Sequence, residues 1–133
     1  MTQQVIEIGT ISTPYNQLSD CPSNVDDKNG PLCELLLEPE YQQGIEGLKV
    51  GCQIDILYWL QDTKRDQISQ VSVHRSDNNE PTGVFSLRSP NRPNPIGLAK
   101  LTIAEIGQGR IVVRGLDCLN GTMLVDIKPS ITQ

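Results

Sequence analysis

The stretch Gly83-Val84-Phe85-Ser86-Leu87-Arg88-Ser89-Pro90-Asn91-Arg92-Pro93-Asn94-Pro95-Ile96-Gly97 is unlike ordinary loop sequence. Pro90, Pro93 and Pro95 each fix φ near −65°, and they push Ser89, Arg92 and Asn94 into extended geometry. A run of this kind has few conformations to lose on folding or on binding. It also carries fewer N–H donors than carbonyls, so acceptors remain for a ligand. Two guanidinium groups, Arg88 and Arg92, sit on the stiff frame. An arginine fork held in place suits a carboxylate or a phosphate, because it makes two parallel charge-assisted hydrogen bonds. Two blander readings stay open on the residues alone. The run is also a rigid connector between strands with solvated arginines, or a Pro-x-x-Pro ligand for a partner domain. Apolar strands on both sides disfavour the last.

A second cluster, Leu116-Asp117-Cys118-Leu119-Asn120-Gly121-Thr122-Met123-Leu124-Val125-Asp126-Ile127-Lys128-Pro129, is built around Asn120-Gly121, a strong tight-turn signal. Asp117, Asp126 and Lys128 read either as site groups or as solvated turn and strand ends.

The elements that must position these clusters are short strands. Val5–Ser12 alternates and reads as a strand that Thr13-Pro14 turns away. Gln17–Pro31 is polar and reads as a long loop, a length often functional in a compact domain. Leu32–Glu38, Gln53–Leu60 and Gln67–His74 read as strands, with one or two helical turns in Pro39–Leu48. Leu98–Ile106 and Arg110–Leu116 form a hairpin across Gly107-Gln108-Gly109. That Gly-x-Gly is not a dinucleotide fingerprint, since a strand follows it where a helix is needed. The pattern predicts one all-β domain over residues 1–133, a small antiparallel barrel or sandwich.

Composition narrows the function. At 133 residues and 37% hydrophobic content the chain supplies one core. No apolar run is long enough to span a membrane, and the N-terminus has no signal-like apolar region, so the expected location is the cytoplasm. The four cysteines are far apart and there is one histidine, His74, which predicts reduced thiols and no metal site. The net charge of −5 is uneven: residues 1–66 hold 11 acidic and 4 basic side chains, residues 67–133 hold 5 and 7. An acidic protein is repelled by a phosphate backbone, so a nucleic acid would have to meet the second half.

Taken together, Gly83–Gly97 and Leu116–Pro129 resemble the TrmO (TsaA-like) family, whose members show patterns of the type GVFATRSPxRPNPIG and DLLDGTPVLDIKP. Ile8-Gly9-Thr10-Ile11-Ser12-Thr13-Pro14-Tyr15 resembles the family's IGxIxSPY, and Glu46-Gly47-Leu48 and Leu57-Tyr58-Trp59-Leu60 also match. The resemblance implies a dimeric β-barrel that binds S-adenosylmethionine (SAM) and transfers its methyl group. In full-length members the implied acceptor is N6 of threonylcarbamoyl-adenosine in tRNA. Carried over by position, the implied cofactor contacts are Pro22, Ser23 and Asn24 in the early loop and Gln61 and Asp62 after the central strand. They continue with Arg88, Leu98 and the turn Asn120-Gly121-Thr122-Met123; Arg92, the second arginine of the proline run, is placed with them. His74 matches a family histidine, with strand packing and a site role both open.

This sequence departs from the pattern in several places. Ser23 stands for an arginine, Gln61 for a histidine, Asn120 for an aspartate, Met123 for a proline, and Gln53 for the histidine of a Phe-Ser-His. The C-terminal extension of longer members does not follow Lys128-Pro129. The lost arginine, the lost extension and the acidic balance weaken the tRNA implication and leave two alternatives, a small-molecule nucleophile or a SAM-binding module without chemistry.

Overall fold

The structure is a computed structural model that describes residues 2–70 and 81–131. Its strands are β1 (Gly9–Ser12), β2 (Leu32–Leu37), β3 (Gln53–Trp59), β4 (Ser69–Gln70), β5 (Thr82–Gly83), β6 (Ile96–Gly107), β7 (Arg110–Arg114) and β8 (Thr122–Pro129). Six of them close an antiparallel barrel in the order β1-β2-β7-β6-β3-β8, with β8 returning to pair with β1. Closure leaves no unpaired edge, which is how so short a set of strands satisfies its backbone groups. β4 and β5 form a separate ribbon, and short 3₁₀ turns occupy Leu18–Asp20, Pro39–Ile45 and Val84–Ser86.

Alternation sets the inside of the barrel. In β3 Ile54, Ile56 and Tyr58 are buried while Gln53, Asp55 and Leu57 are only partly covered. Ile11, Leu35, Leu101, Ile103, Ile111, Val113 and Leu124 complete the core from the other strands. Each such aliphatic side chain stabilises the fold by roughly 1.5–3 kcal/mol through burial.

The expected barrel is the one observed, with shifted boundaries. The strand expected at Val5–Ser12 begins only at Gly9. Val5 and Ile6 stay exposed, because pairing with β8 ends at Gly9 opposite Leu124. β6 begins earlier than Leu98, at Ile96, because the Leu60 N–H donates to the Pro95 carbonyl at 2.7 Å and leads the proline run straight into the ladder with β3. Of the strand expected at Gln67–His74 the described part is Ser69–Gln70; His74 and Arg75 lie outside the described residues. The Gly107–Arg110 hairpin is as expected, with Gly109 at φ 71°.

The long early loop is pinned to one end of the barrel. The Asp26 N–H donates to the Gly115 carbonyl, and the Asp27 carboxylate accepts from both the N–H and the hydroxyl of Thr102. Arg114 donates to the Gly30 carbonyl. Gly115 has φ 90°, and a Cβ there would meet the Asp26 carbonyl oxygen at 1.8 Å, so only glycine permits this docking.

Candidate functional site

Three chain segments that are distant in sequence meet over the barrel end and enclose a cleft of about 1220 Å³. The pinned early loop supplies Pro22, Ser23 and Asn24. The end of β3 and the turn after it supply Tyr58, Gln61 and Asp62, and the proline run supplies Arg88 and Arg92, leading to Leu98. Asp117 and Thr122 line it from beyond β7. Nine of the twelve residues expected at the cofactor therefore share one cleft; Asn120, Gly121 and Met123 are not among its lining.

Those three do another job. Asn120 Oδ1 accepts the Thr13 N–H at 3.1 Å, its own N–H donates to the Tyr15 carbonyl at 2.7 Å, and the Gly121 N–H donates to the Ile11 carbonyl. Met123 is paired with both Thr10 and Trp59 inside the ladder. The Asn120-Gly121 turn ties β8 to the end of β1. It reaches the site through its neighbours Leu119 and Thr122, which line the cleft, and through Gln61, whose Nε2 reaches the Gly121 carbonyl at 3.5 Å.

The two arginines of the proline run are not equivalent. Arg92 is half-buried and its Nη2 donates to the carbonyls of Val84 and Leu87, so its fork braces the run from within. Arg65 braces the other end, donating from Nε to the Pro93 carbonyl at 2.7 Å while stacking on Trp59 at 5.0 Å. Arg88 is exposed in the cleft and makes no ion pair or hydrogen bond among the described residues. One arginine builds the frame and the other is presented on it.

Sequence reasoning missed the polar pair in the cleft. The Tyr58 hydroxyl donates to Asp117 Oδ1 at 3.1 Å across 59 positions of sequence. Burial pushes the Asp117 carboxyl above the usual carboxylate range, an effect the tyrosine hydrogen bond partly offsets. Burial, and then the Asp117 charge, push the Tyr58 phenol far above its ordinary value, with Arg88 pulling the other way. Tyr58 therefore stays a donor. Cys118 is buried beside them, its thiol pushed up to about 12 by desolvation, and is inert packing. A usable signal was present in sequence: Tyr58 continues the inward register of Ile54 and Ile56, and a polar-tipped residue there needs a buried partner. Phe85 was also missed; it is 84% exposed at the cleft although the chain is only 4% aromatic.

Residues 10–133 match the family described as the tRNA-methyltransferase O N-terminal domain. The chain belongs to this TrmO family. A relative from Rhizobium radiobacter, named as the probable S-adenosyl-L-methionine-binding protein VirR, is 42% identical over 92% of this chain and 67% of its own length. An S-adenosyl-L-methionine-binding protein of Archaeoglobus fulgidus is 35% identical over 91% of this chain and 84% of its own. The crystal structure of TrmO from P. aeruginosa superposes with a TM-score of 0.77 at 27% identity, covering 98% of this chain. The chain spans 56% of that TrmO chain. Its barrel is thus the family's fold.

Proposed function

We propose that the cleft binds SAM and that the protein transfers the cofactor's methyl group to a nucleophile. The observation that carries the reading is Arg88: an exposed guanidinium with no internal partner among the described residues, held in a cleft by a proline-stiffened frame. A cleft of about 1220 Å³ is larger than most ligand sites, and is ample for a nucleoside carrying an amino-acid tail. The names of the relatives from Rhizobium radiobacter and Archaeoglobus fulgidus support the same ligand.

The residues fit that group chemically. Arg88 suits the amino-acid carboxylate, and Ser23, Asn24, Gln61 and Asp62 add polar groups to the same lining. Leu98 and Phe85 give apolar surface for the rest. When bound, SAM supplies a methyl group already activated on a sulfonium. This chain has then to orient it and exclude water, and in-line displacement gains most from positioning. Arg92 and Arg65 keep the frame rigid for that task.

For the acceptor, the family's own description supports a tRNA, and the resemblance of the motifs implies adenine N6 within it. A small nucleophile is favoured by a specific observation about the basic side chains. Among the described residues Arg110 is paired with Glu34 at 3.0 Å, Arg114 is bonded to the Gly30 carbonyl, Arg92 to the proline run and Lys128 to Asp126, so few of the second half's described cations are open to phosphates. Calorimetry with SAM, followed by incubation of radiolabelled SAM with total tRNA and with a small-metabolite extract, tests the reading. Binding with label in either fraction supports methyl transfer and names the acceptor class. Binding with label in neither leaves a pure binding module. Arg88→Ala is expected to weaken SAM by roughly 1.5–3 kcal/mol, and unchanged affinity removes Arg88 from the site.

A further inference from the structure

Arg88 and Asp117 carry opposite charges and line the same cleft around one phenol. Asp117 accepts the Tyr58 hydroxyl at 3.1 Å, and the Arg88 charge acts on the same hydroxyl. Among the described residues neither is in an ion pair with the other or with any third group. Arg88 rides on the proline frame, and Asp117 is tethered by Tyr58, whose ring is fixed between the barrel core and Gly97.

We infer that Arg88 and Asp117 are the two halves of a receptor for an α-amino-acid zwitterion, with Asp117 accepting hydrogen bonds from the ligand's ammonium. The inference rests on the SAM reading and deepens it. Tyr58 and the Asp117 backbone N–H each give this carboxylate one hydrogen bond, fewer than its lone pairs can accept. An ammonium brings three N–H donors and a full charge, and a half-buried carboxylate lacking a cation has most to gain from such a partner. A sulfonium offers charge and no donor. Among the described residues the titratable groups that act with Asp117 are Tyr58, Tyr15, Cys21 and Cys118, none of them a cation. Arg88, the cation that shares the cleft, makes no ion pair with it, which leaves the carboxylate available to a cationic ligand group.

Three ligands separate the possibilities. SAM and S-adenosylhomocysteine both carry the zwitterion, and only SAM carries the sulfonium. 5′-Methylthioadenosine carries neither. By calorimetry with the full chain, Asp117→Asn is expected to weaken SAM and S-adenosylhomocysteine alike, by about 10- to 100-fold, the range for losing a charged hydrogen bond, and to leave 5′-methylthioadenosine unchanged. Tyr58→Phe, which keeps the carboxylate and removes its anchor, is expected to give a smaller loss with the same parity between the first two ligands.

Loss confined to SAM would assign Asp117 to the sulfonium and overturn the inference. Equal loss of 5′-methylthioadenosine would overturn it too, by making Asp117 a shaper of the cleft. So would an Asp117→Asn variant that binds all three as tightly as the native protein. If the native protein binds none of the three, the SAM reading itself fails, and the zwitterion receptor with it.

Discussion

Gly97→Ala is the most local perturbation that reaches the site. Gly97 is paired with Tyr58 across β3 and β6, and the phenol ring lies over the glycine. A Cβ there would fall 2.5 Å from Cε2, 2.8 Å from Cζ and 3.0 Å from Cδ2 of Tyr58. Side-chain carbons do not approach so closely, and the ring is not a flexible tip that swings aside. It is 3% exposed, packed in the core and hydrogen-bonded to Asp117. Either the strands part or the ring leaves its rotamer. Overpacking of this kind costs about 1–3 kcal/mol, and losing the bond to a charged acceptor adds roughly 1.5–3 kcal/mol. Chemical unfolding should therefore show Gly97→Ala destabilised by about 2.5–6 kcal/mol, with SAM affinity falling in parallel. Gly107→Ala, in the same strand with nothing within 4 Å of its added Cβ, is the control. It should be neutral or more stable by up to about 1 kcal/mol, through the entropy of the unfolded chain. Equal stability of the two variants would refute the claim that the glycine exists to seat the ring.

Two further perturbations follow from the same geometry. Arg92→Ala removes the donor that joins the Val84 and Leu87 carbonyls; the frame should loosen by roughly 1–2 kcal/mol for this half-exposed bond. Faster hydrogen exchange at the Leu87 amide would show it, Arg92→Lys should not rescue it because an ammonium lacks the fork, and exchange at the native rate would exclude the bracing role. Asp117 titrates above its usual 3.8 because it is buried, so the folded state holds its proton more tightly than the unfolded one. The stability this contributes is full below the ordinary aspartate value and is lost as pH rises through the raised one. In ligand-free protein, Asp117→Asn should gain in melting temperature over the native chain as pH rises from about 4 to 7, and a difference that stays flat across that window would contradict the burial.

Local signals were enough for the barrel and for most of the cleft. The alternation of Ile54, Ile56 and Tyr58, the Gly107–Arg110 hairpin and the proline run are each written within a dozen or so residues, and each appears where its pattern places it. Strand ends were less legible, because Val5 and Ile6 satisfy the strand pattern but the β1–β8 pairing does not extend past Gly9 opposite Leu124. The roles within the cleft were least legible. Nothing in the sequence of Arg88 and Arg92 says which fork turns inward; that depends on the 3₁₀ turn at Val84–Ser86 bringing two carbonyls within reach of Arg92. The Tyr58–Asp117 bond depends on the barrel, since the β3–β6, β6–β7 and β3–β8 pairings hold the strands that carry and flank these two distant positions.

The same dependence explains how the site tolerates its departures from the family pattern. Asn120, in place of an aspartate, is bonded to the Thr13 N–H through the oxygen an aspartate would also use. The turn therefore needs an acceptor at this position and no negative charge. Met123, in place of a proline, sits in a ladder between Thr10 and Trp59, where its N–H gives the strand a donor that proline lacks. Neither replacement alters the cleft lining. Ser23 and Gln61 do lie in that lining, and each exchanges a larger, chargeable group for a neutral one. Positive charge is thereby removed from the lining, while Arg88, Tyr58 and Asp117 remain in place. On the proposed SAM reading, a site altered in this way should keep its grip on the amino-acid tail of its ligand and change the polarity of the rest of the cleft that a methyl acceptor would meet.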